Sequence, residues 1–204
     1  TLGGSSTLTI GASGINDTAN VSGTTAIESN LVIQSNQSWS SGTGGSLLIN
    51  GMVGITGANR SVTVATGTVT IQNGFRDGAN PRVLTKAGAG TLVLNGTGGT
   101  ELGGVTLSAG TLQVGHNSAL GTGTLTLTAG TLQAISSDIT LTNASTLNAA
   151  TISGAQSLTF NGKLTGLTNG NRTLTSSITP AGGKLLTLGD VDINPDTVSA
   201  RTLT

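Results

Sequence analysis

Apolar and polar residues alternate in short runs along this chain, and part of the pattern returns every 20 residues. The phrase Ala-Gly-Thr-Leu occupies 89–92, 109–112 and 129–132, and a weaker copy, Ala-Ala-Thr-Ile, occupies 149–152. Successive residues of a β-strand point to opposite faces of its sheet. In each copy the Leu and the residue two positions later therefore share one face, and the Thr takes the other. The pattern predicts short strands with one aliphatic, buried face and one polar face.

A fixed period of this length predicts a solenoid in which each repeat forms one turn. Repeats in register would stack their aliphatic side chains as a ladder made of Leu92, Leu112, Leu132 and Ile152. A second strand with the same alternation would stack Leu107 on Leu127. The glycine before each strand suits a corner, where φ is positive or two backbones approach closely. Over the whole chain we expect about ten rungs of roughly 20 residues each.

Three runs in the repeat region resemble a known sequence repeat; they lie at 84–96, 103–114 and 119–127. Together they are similar to the autotransporter-associated β-strand repeat, which is found in the passenger regions of bacterial type V secreted proteins. The similarity is dense over 83–134, and the segment 30–39 is similar to a stretch that often precedes such repeats. The linker 97–102 departs from the pattern because it lacks the usual tyrosine. The resemblance implies a right-handed parallel β-helix that is exported across two membranes.

Strand signals continue on both sides of the repeats, so we expect a single β-helix segment over residues 1–204, best defined at 87–152. Asn-Gly dipeptides would mark hairpins in a globular protein, but in a parallel solenoid they mark corners; they start at residues 50, 73, 95, 161 and 169. The polar segment 75–82 is interpreted as a loop that leaves one rung. The chain begins with Thr and shows no signal peptide, so we expect a piece of a longer passenger.

Composition favours a thin solenoid over a compact globular domain. Glycine supplies 33 of the 204 residues, and the only aromatic residues are Trp39, Phe75 and Phe160. The core must therefore be aliphatic, whereas globular cores rely heavily on aromatic side chains. The formal net charge is zero, which gives no electrostatic attraction to nucleic acid or anionic membranes. The sequence contains no run of about 18 apolar residues that could span a membrane as a helix, and no cysteine for a disulfide.

One acidic cluster is a candidate metal site, made of Asp190, Asp192, Asn194 and Asp196. Its alternation resembles the start of a calcium-binding loop, but Pro195 stands where glycine is required and Arg201 where a bidentate Glu is required. Asp190 and Asp192 would also lie about 6.5–7 Å apart on one strand face, within the range of inverting glycosidases. No aromatic or basic sugar platform accompanies them. We therefore interpret the cluster as a solvated strand end and expect no catalytic residue, metal or cofactor.

The remaining polar candidates are interpreted structurally. His116 is the only histidine and lies at an expected corner without metal-binding partners. Trp39 is expected to be a packing anchor and not a ligand-stacking platform. Lys86 and Arg82 are expected to be solvated flanks of a strand. Seven Asn-x-Ser/Thr sequons occur, not many more than chance would give in a chain this rich in Ser and Thr, at Asn16, Asn20, Asn36, Asn59, Asn95, Asn143 and Asn171.

These observations leave three functional hypotheses. The first is a structural stalk or scaffold on the bacterial cell surface, which contacts flanking rungs of the parent protein or copies of itself, with filament formation as a variant. The second is an adhesin that binds surface glycans or neighbouring cells through a flat polar face made of Thr111, Gln113, Thr131 and Gln133. The third is a polysaccharide-cleaving β-helix enzyme that uses Asp190 and Asp192. The first is the prediction, and it includes no enzymatic activity.

Overall fold

The computed structural model describes residues 7–76, 81–97, 102–166, 172–179 and 183–192. Over these residues the chain forms 24 β-strands and no helix. The first twelve strands are β1 (Thr7–Ile10), β2 (Ile15–Asp17), β3 (Thr24–Ile27), β4 (Asn30–Ile33), β5 (Gln37–Ser41), β6 (Ser46–Ile49), β7 (Val53–Ile55), β8 (Arg60–Val64), β9 (Thr68–Ile71), β10 (Phe75–Arg76), β11 (Val83–Ala87) and β12 (Thr91–Leu94). The others are β13 (Gly104–Leu107), β14 (Thr111–Val114), β15 (Thr124–Leu127), β16 (Thr131–Ala134), β17 (Ile139–Leu141), β18 (Ser145–Leu147), β19 (Ala149–Gly154), β20 (Leu158–Phe160), β21 (Leu164–Gly166), β22 (Thr173–Ile178), β23 (Leu186–Leu188) and β24 (Val191–Asp192).

The strands stack in parallel, turn upon turn, which confirms the predicted all-β parallel solenoid. A nine-stranded sheet has the order β2-β5-β8-β11-β13-β15-β18-β21-β24, and an eight-stranded sheet has the order β22-β19-β16-β14-β12-β9-β6-β3. Two smaller sheets, β1-β4-β7-β10 and β17-β20-β23, cover the third side near either end. Two neighbouring parallel strands cannot be joined by a tight hairpin and need a longer crossover connection. In this chain the rest of each turn forms that connection.

The solenoid makes about seven turns, so the prediction of about ten rungs is somewhat high. Around the repeats a residue and its partner on the next turn are 20 positions apart, as for Leu92 and Leu112. Near the N-terminus the interval is longer, with Ile15 beside Trp39 and Gln37 beside Val62. Longer corners use more residues per turn, so fewer turns fit into the same length of chain.

Columns of aliphatic side chains fill the interior. Leu92 lies beside Leu112, Leu112 beside Leu132, and Leu132 beside Ile152, and none of the four is exposed to solvent. In the nine-stranded sheet Leu107 lies beside Leu127 in the same way. The three aromatic side chains, Trp39, Phe75 and Phe160, are also completely buried. The indole Nε1 of Trp39 donates a hydrogen bond of 3.2 Å to Gln37 Oε1, so this side chain is part of the core.

The outward face of the eight-stranded sheet carries an uninterrupted column of hydroxyl side chains, one from each strand. In stacking order the column is Thr24, Ser46, Thr68, Thr91, Thr111, Thr131, Thr151 and Thr175. In β6, β9, β12, β14, β16 and β19 these positions alternate with buried apolar ones, as the period-2 pattern requires. The sequence pattern therefore fixes both the core and the chemistry of this surface.

The described Asn-Gly dipeptides lie at corners between parallel strands and not in hairpins. The dipeptide at 50–51 joins β6 to β7, and the one at 161–162 joins β20 to β21; the one at 169–170 lies outside the described residues. Some corners require glycine because two backbones touch: a Cβ on Gly110, whose φ is 67°, would lie 2.3 Å from the carbonyl oxygen of Gly88. The prediction of a loop at 75–82 is wrong for its first two residues, because Phe75 and Arg76 form β10 and Phe75 is buried in the core; residues 77–80 lie outside the described residues.

Candidate functional site

The acidic cluster forms a surface ion pair with a lysine of the preceding turn. The Nζ atom of Lys163 lies 3.0 Å from Oδ2 of Asp192, and the hydrogen bond with Asp192, followed by the charges of Asp192 and Asp190, raises the pKa of Lys163. Asp192 is therefore paired with a cation that the chain itself supplies. Asn194 and Asp196 lie outside the described residues. Among those described, no three His, Cys, Asp or Glu side chains cluster as metal ligands do.

His116 lies in an exposed corner and is bonded within it. The backbone N–H of Ser118 donates to His116 Nδ1 at 3.2 Å, and Ser118 Oγ lies 2.8 Å from the same nitrogen. Ser118 Oγ also donates to the carbonyl oxygen of Thr97 on the preceding turn. A catalytic Ser–His pair needs a third group that orients the imidazole, and no described carboxylate contacts this ring. These hydrogen bonds stabilise the corner and link it to the preceding turn.

Lys86 is the clearest disagreement with the sequence interpretation, because it is a core residue and not a solvated flank. Its side chain is completely buried in the interior column between Val62 and Leu107. The three N–H groups of the ammonium match three carbonyl acceptors, Ala87 O at 2.9 Å, Gly88 O at 2.8 Å and Ala109 O at 3.0 Å. Burial lowers the pKa of Lys86 from 10.5 to about 8, so the amine is mostly charged at neutral pH.

The signal for the burial of Lys86 was present in the strand pattern. Lys86 has the same parity as Leu84, which is also completely buried, so the alternation of β11 places it on the core side. Arg82, which was paired with it in the sequence interpretation, is half-buried. The residues that stack on Lys86 from the two neighbouring turns, Val62 and Leu107, are both aliphatic. A lysine is accepted there because the corner carbonyls satisfy its charge, as buried charges require.

The proposed adhesive face has a hydrogen-bonded ladder of its own. Thr111 lies beside Thr131, and Gln113 beside Gln133. Gln113 Nε2 donates to Gln133 Oε1 at 2.7 Å, and Gln133 Nε2 donates to Ser153 Oγ at 2.8 Å. The amides therefore tie three turns together along the outer surface, beside the column of hydroxyl side chains.

We predict that Gln133→Ala will destabilise this region about twice as much as Gln113→Ala. The first substitution removes two hydrogen bonds and the second removes one, and each such bond contributes about 1 kcal/mol. The measurement is the free energy of local opening, from hydrogen exchange of the backbone amides of β14, β16 and β19. Equal effects of the two substitutions would mean that the ladder does not contribute as a chain of bonds.

A notch in the outer face of the sheet β1-β4-β7-β10 was not identified from the sequence. Its volume is about 300 Å³, and its lining includes Asn30, Val32, Met52, Gly54, Thr56 and Arg76. Gly54 lies between Val32 and Arg76 in the outward column of this sheet. The signal available in the sequence is a glycine at an outward position inside a strand, Val53-Gly54-Ile55.

The sequons are poorly placed for glycan attachment where their amides are already bonded. Asn143 is buried, and its Nδ2 donates to the carbonyl oxygens of Gly121 and Gly123. Asn95 Nδ2 donates to Gln72 Oε1 across one turn. Asn171 lies outside the described residues.

Comparison of the chain with protein families, with curated proteins and with solved structures gave no match. Among the described residues no helix is long and apolar enough to cross a membrane.

Proposed function

We propose that this chain is a stalk or scaffold segment of a bacterial surface protein, exported as part of an autotransporter passenger. The observation that carries the proposal is the continuous stacking of strands, nine in one sheet and eight in another, around a core of aliphatic columns. Seven turns at about 4.8 Å each give a rod of roughly 35 Å. The resemblance of 84–127 to the autotransporter-associated β-strand repeat supports the export route.

The chemistry of the surface supports a structural role and not a catalytic one. Lys163 forms an ion pair with Asp192, one of the two carboxylates that a glycosidase would need. His116 is held in a corner by Ser118. The hydroxyl side chains that cover the eight-stranded sheet are suited to contact with water. The proposal therefore includes no catalytic, metal or cofactor site.

Surface labelling of intact cells tests the export proposal. An antibody raised against the purified segment is applied to the bacterium that encodes the chain, with a periplasmic protein as the control for leakage. We expect labelling of intact cells, and loss of the epitope when external protease is added. Labelling that appears only after lysis would contradict a cell-surface role.

The ends of the sheets support the expectation that turns continue beyond the described residues or that copies stack. β3 and β22 are the terminal strands of the eight-stranded sheet, and a terminal strand presents unpaired N–H and C=O groups to a further strand. Filament formation is tested by electron microscopy of the purified chain over a range of concentrations. Rods that lengthen with concentration support stacking, and dispersed short rods at high concentration contradict it.

The adhesin hypothesis remains a second candidate because the outer face of the eight-stranded sheet is regular and polar. Its hydroxyl column and the Gln113–Gln133–Ser153 ladder repeat the same groups at each turn. A glycan array tests it with the wild-type chain and the double variant Gln113→Ala/Gln133→Ala. Binding that the double variant loses supports this role, and the absence of binding by the wild-type chain contradicts it.

A further inference from the structure

We propose that the notch at Gly54 is a binding site for a small ligand that carries a carboxylate on an aliphatic or aromatic body. The site lies on the sheet β1-β4-β7-β10, separate from the hydroxyl column and the amide ladder. It does not depend on the scaffold role, since a stalk needs only the stacked core.

The notch exists because one position of an outward column has no side chain. In stacking order the column is Thr9, Val32, Gly54 and Arg76. The other three members extend from the sheet, so the missing side chain of Gly54 leaves a gap between Val32 and Arg76. Met52 and Thr56 border the gap on the strand of Gly54 itself.

The backbone does not require glycine at this position. A Cβ on Gly54 would lie 3.4 Å from both the carbonyl oxygen of Arg76 and Val32 Cγ2, which is ordinary van der Waals contact, and its φ is not positive. The contrast is Gly51 in the preceding corner, where a Cβ would lie 2.1 Å from the carbonyl oxygen of Ser29. Gly51 is thus explained by the fold and Gly54 is not. The backbone packing of the solenoid therefore does not account for the empty space above Gly54.

The walls of the notch suit an apolar group. Val32 and Met52 are half-buried and contribute aliphatic and thioether surface to the notch. Small-molecule sites are concave and largely apolar, with a few polar groups that orient the ligand, and they begin at volumes of about 300 Å³. The body of the ligand would therefore replace the side chain that Gly54 lacks.

Arg76 is the one charged side chain among the described residues that line the notch. Arg76 is exposed and forms no ion pair with the described residues. Asn30 Oδ1 accepts a hydrogen bond of 2.9 Å from the backbone N–H of Met52, so this oxygen is already satisfied. Among the residues that the structure describes, no Asp or Glu lines the notch. A carboxylate accepts hydrogen bonds at both oxygens and matches the guanidinium fork in geometry, so charge complementarity selects an organic anion over a cation or a neutral ligand.

The direct test is a titration of the full chain with benzoate, followed by the NMR shifts of backbone amides, with benzamide as the uncharged analogue. We expect saturable shifts at millimolar benzoate that are confined to β4, β7 and β10. Binding of benzamide should be about tenfold weaker, because it lacks the charge-assisted hydrogen bond. The absence of saturable shifts, or shifts spread over all basic residues, would overturn the proposal.

Two variants separate the apolar and the charged parts of the site. Gly54→Leu fills the notch and should abolish binding, and Gly54→Ala, which fits the backbone, should weaken it. Arg76→Gln should reduce benzoate affinity about tenfold and leave benzamide affinity unchanged. Lys163→Gln removes a cation far along the solenoid and is the matched control, with no expected effect. Melting curves confirm that each variant is folded. Unchanged benzoate binding in a folded Gly54→Leu or Gly54→Ala variant would refute the site.

Discussion

Replacement of Leu112 by alanine is expected to lower the free energy of local unfolding by about 3 to 4 kcal/mol. Leu112 is completely buried in the middle of an interior column, between Leu92 and Leu132. Truncation removes apolar contacts with both neighbouring turns and leaves a cavity that the rigid stack cannot close. Because solenoids do not always unfold in a single step, the measurement is native-state hydrogen exchange of the amides in β12, β14 and β16.

The matched control is Thr111→Ala, one residue away on the same strand. Thr111 points outward and is half-buried. Truncation of its side chain should therefore change the free energy of local unfolding by no more than about 0.5 kcal/mol. If the two substitutions had similar effects, the aliphatic column would not be the main source of the stability of the repeats.

Stability should increase with pH between pH 8 and pH 10.5, through the titration of Lys86. Burial lowers the pKa of Lys86 from 10.5 to about 8 in the folded chain. In this window the unfolded chain still holds the proton that the folded chain has released, so the free energy of unfolding rises with pH. Below pH 8 both states are protonated and the cost of burying the charge is fully present. The whole change amounts to about 3 kcal/mol.

The measurement is the free energy of unfolding in denaturant at a series of pH values, for the wild-type chain and for Lys86→Met. Methionine keeps an unbranched side chain of similar length without a titrating group, so subtraction of its profile removes the contribution of the other ionisable residues. The difference between the profiles should rise across the window. Parallel profiles would mean that Lys86 is not the group responsible.

The sequence identifies the repeats well because partners on neighbouring turns are nearly identical there. Leu92, Leu112 and Leu132 occupy the same place in three copies of one phrase, so period and parity together predict their register. The N-terminal turns carry no such signal. Their partners, such as Ile15 and Trp39, differ in type and lie at a longer interval, which is why the number of turns was overestimated.

The two features that sequence interpretation missed depend on spatial neighbours. Parity alone places Lys86 on the core side, but the acceptors that make burial possible are backbone carbonyls, one of them from Ala109 on the next turn. Residue types do not indicate the direction of those carbonyls. Likewise, the sequence does not distinguish Gly54 from the glycines at tight corners. Only the surrounding atoms show that a larger residue would fit there.

The identical register of successive repeats has a consequence for how long the molecule can be. Thr91 lies beside Thr111, and Thr111 beside Thr131, so excision of residues 111–130 would join Gly110 to Thr131 and bring Leu132 against Leu92. Every pairing on either side of the cut would be preserved. The length of the protein can therefore change by gain or loss of whole repeats, in increments of about 4.8 Å, without redesign of the remaining chain.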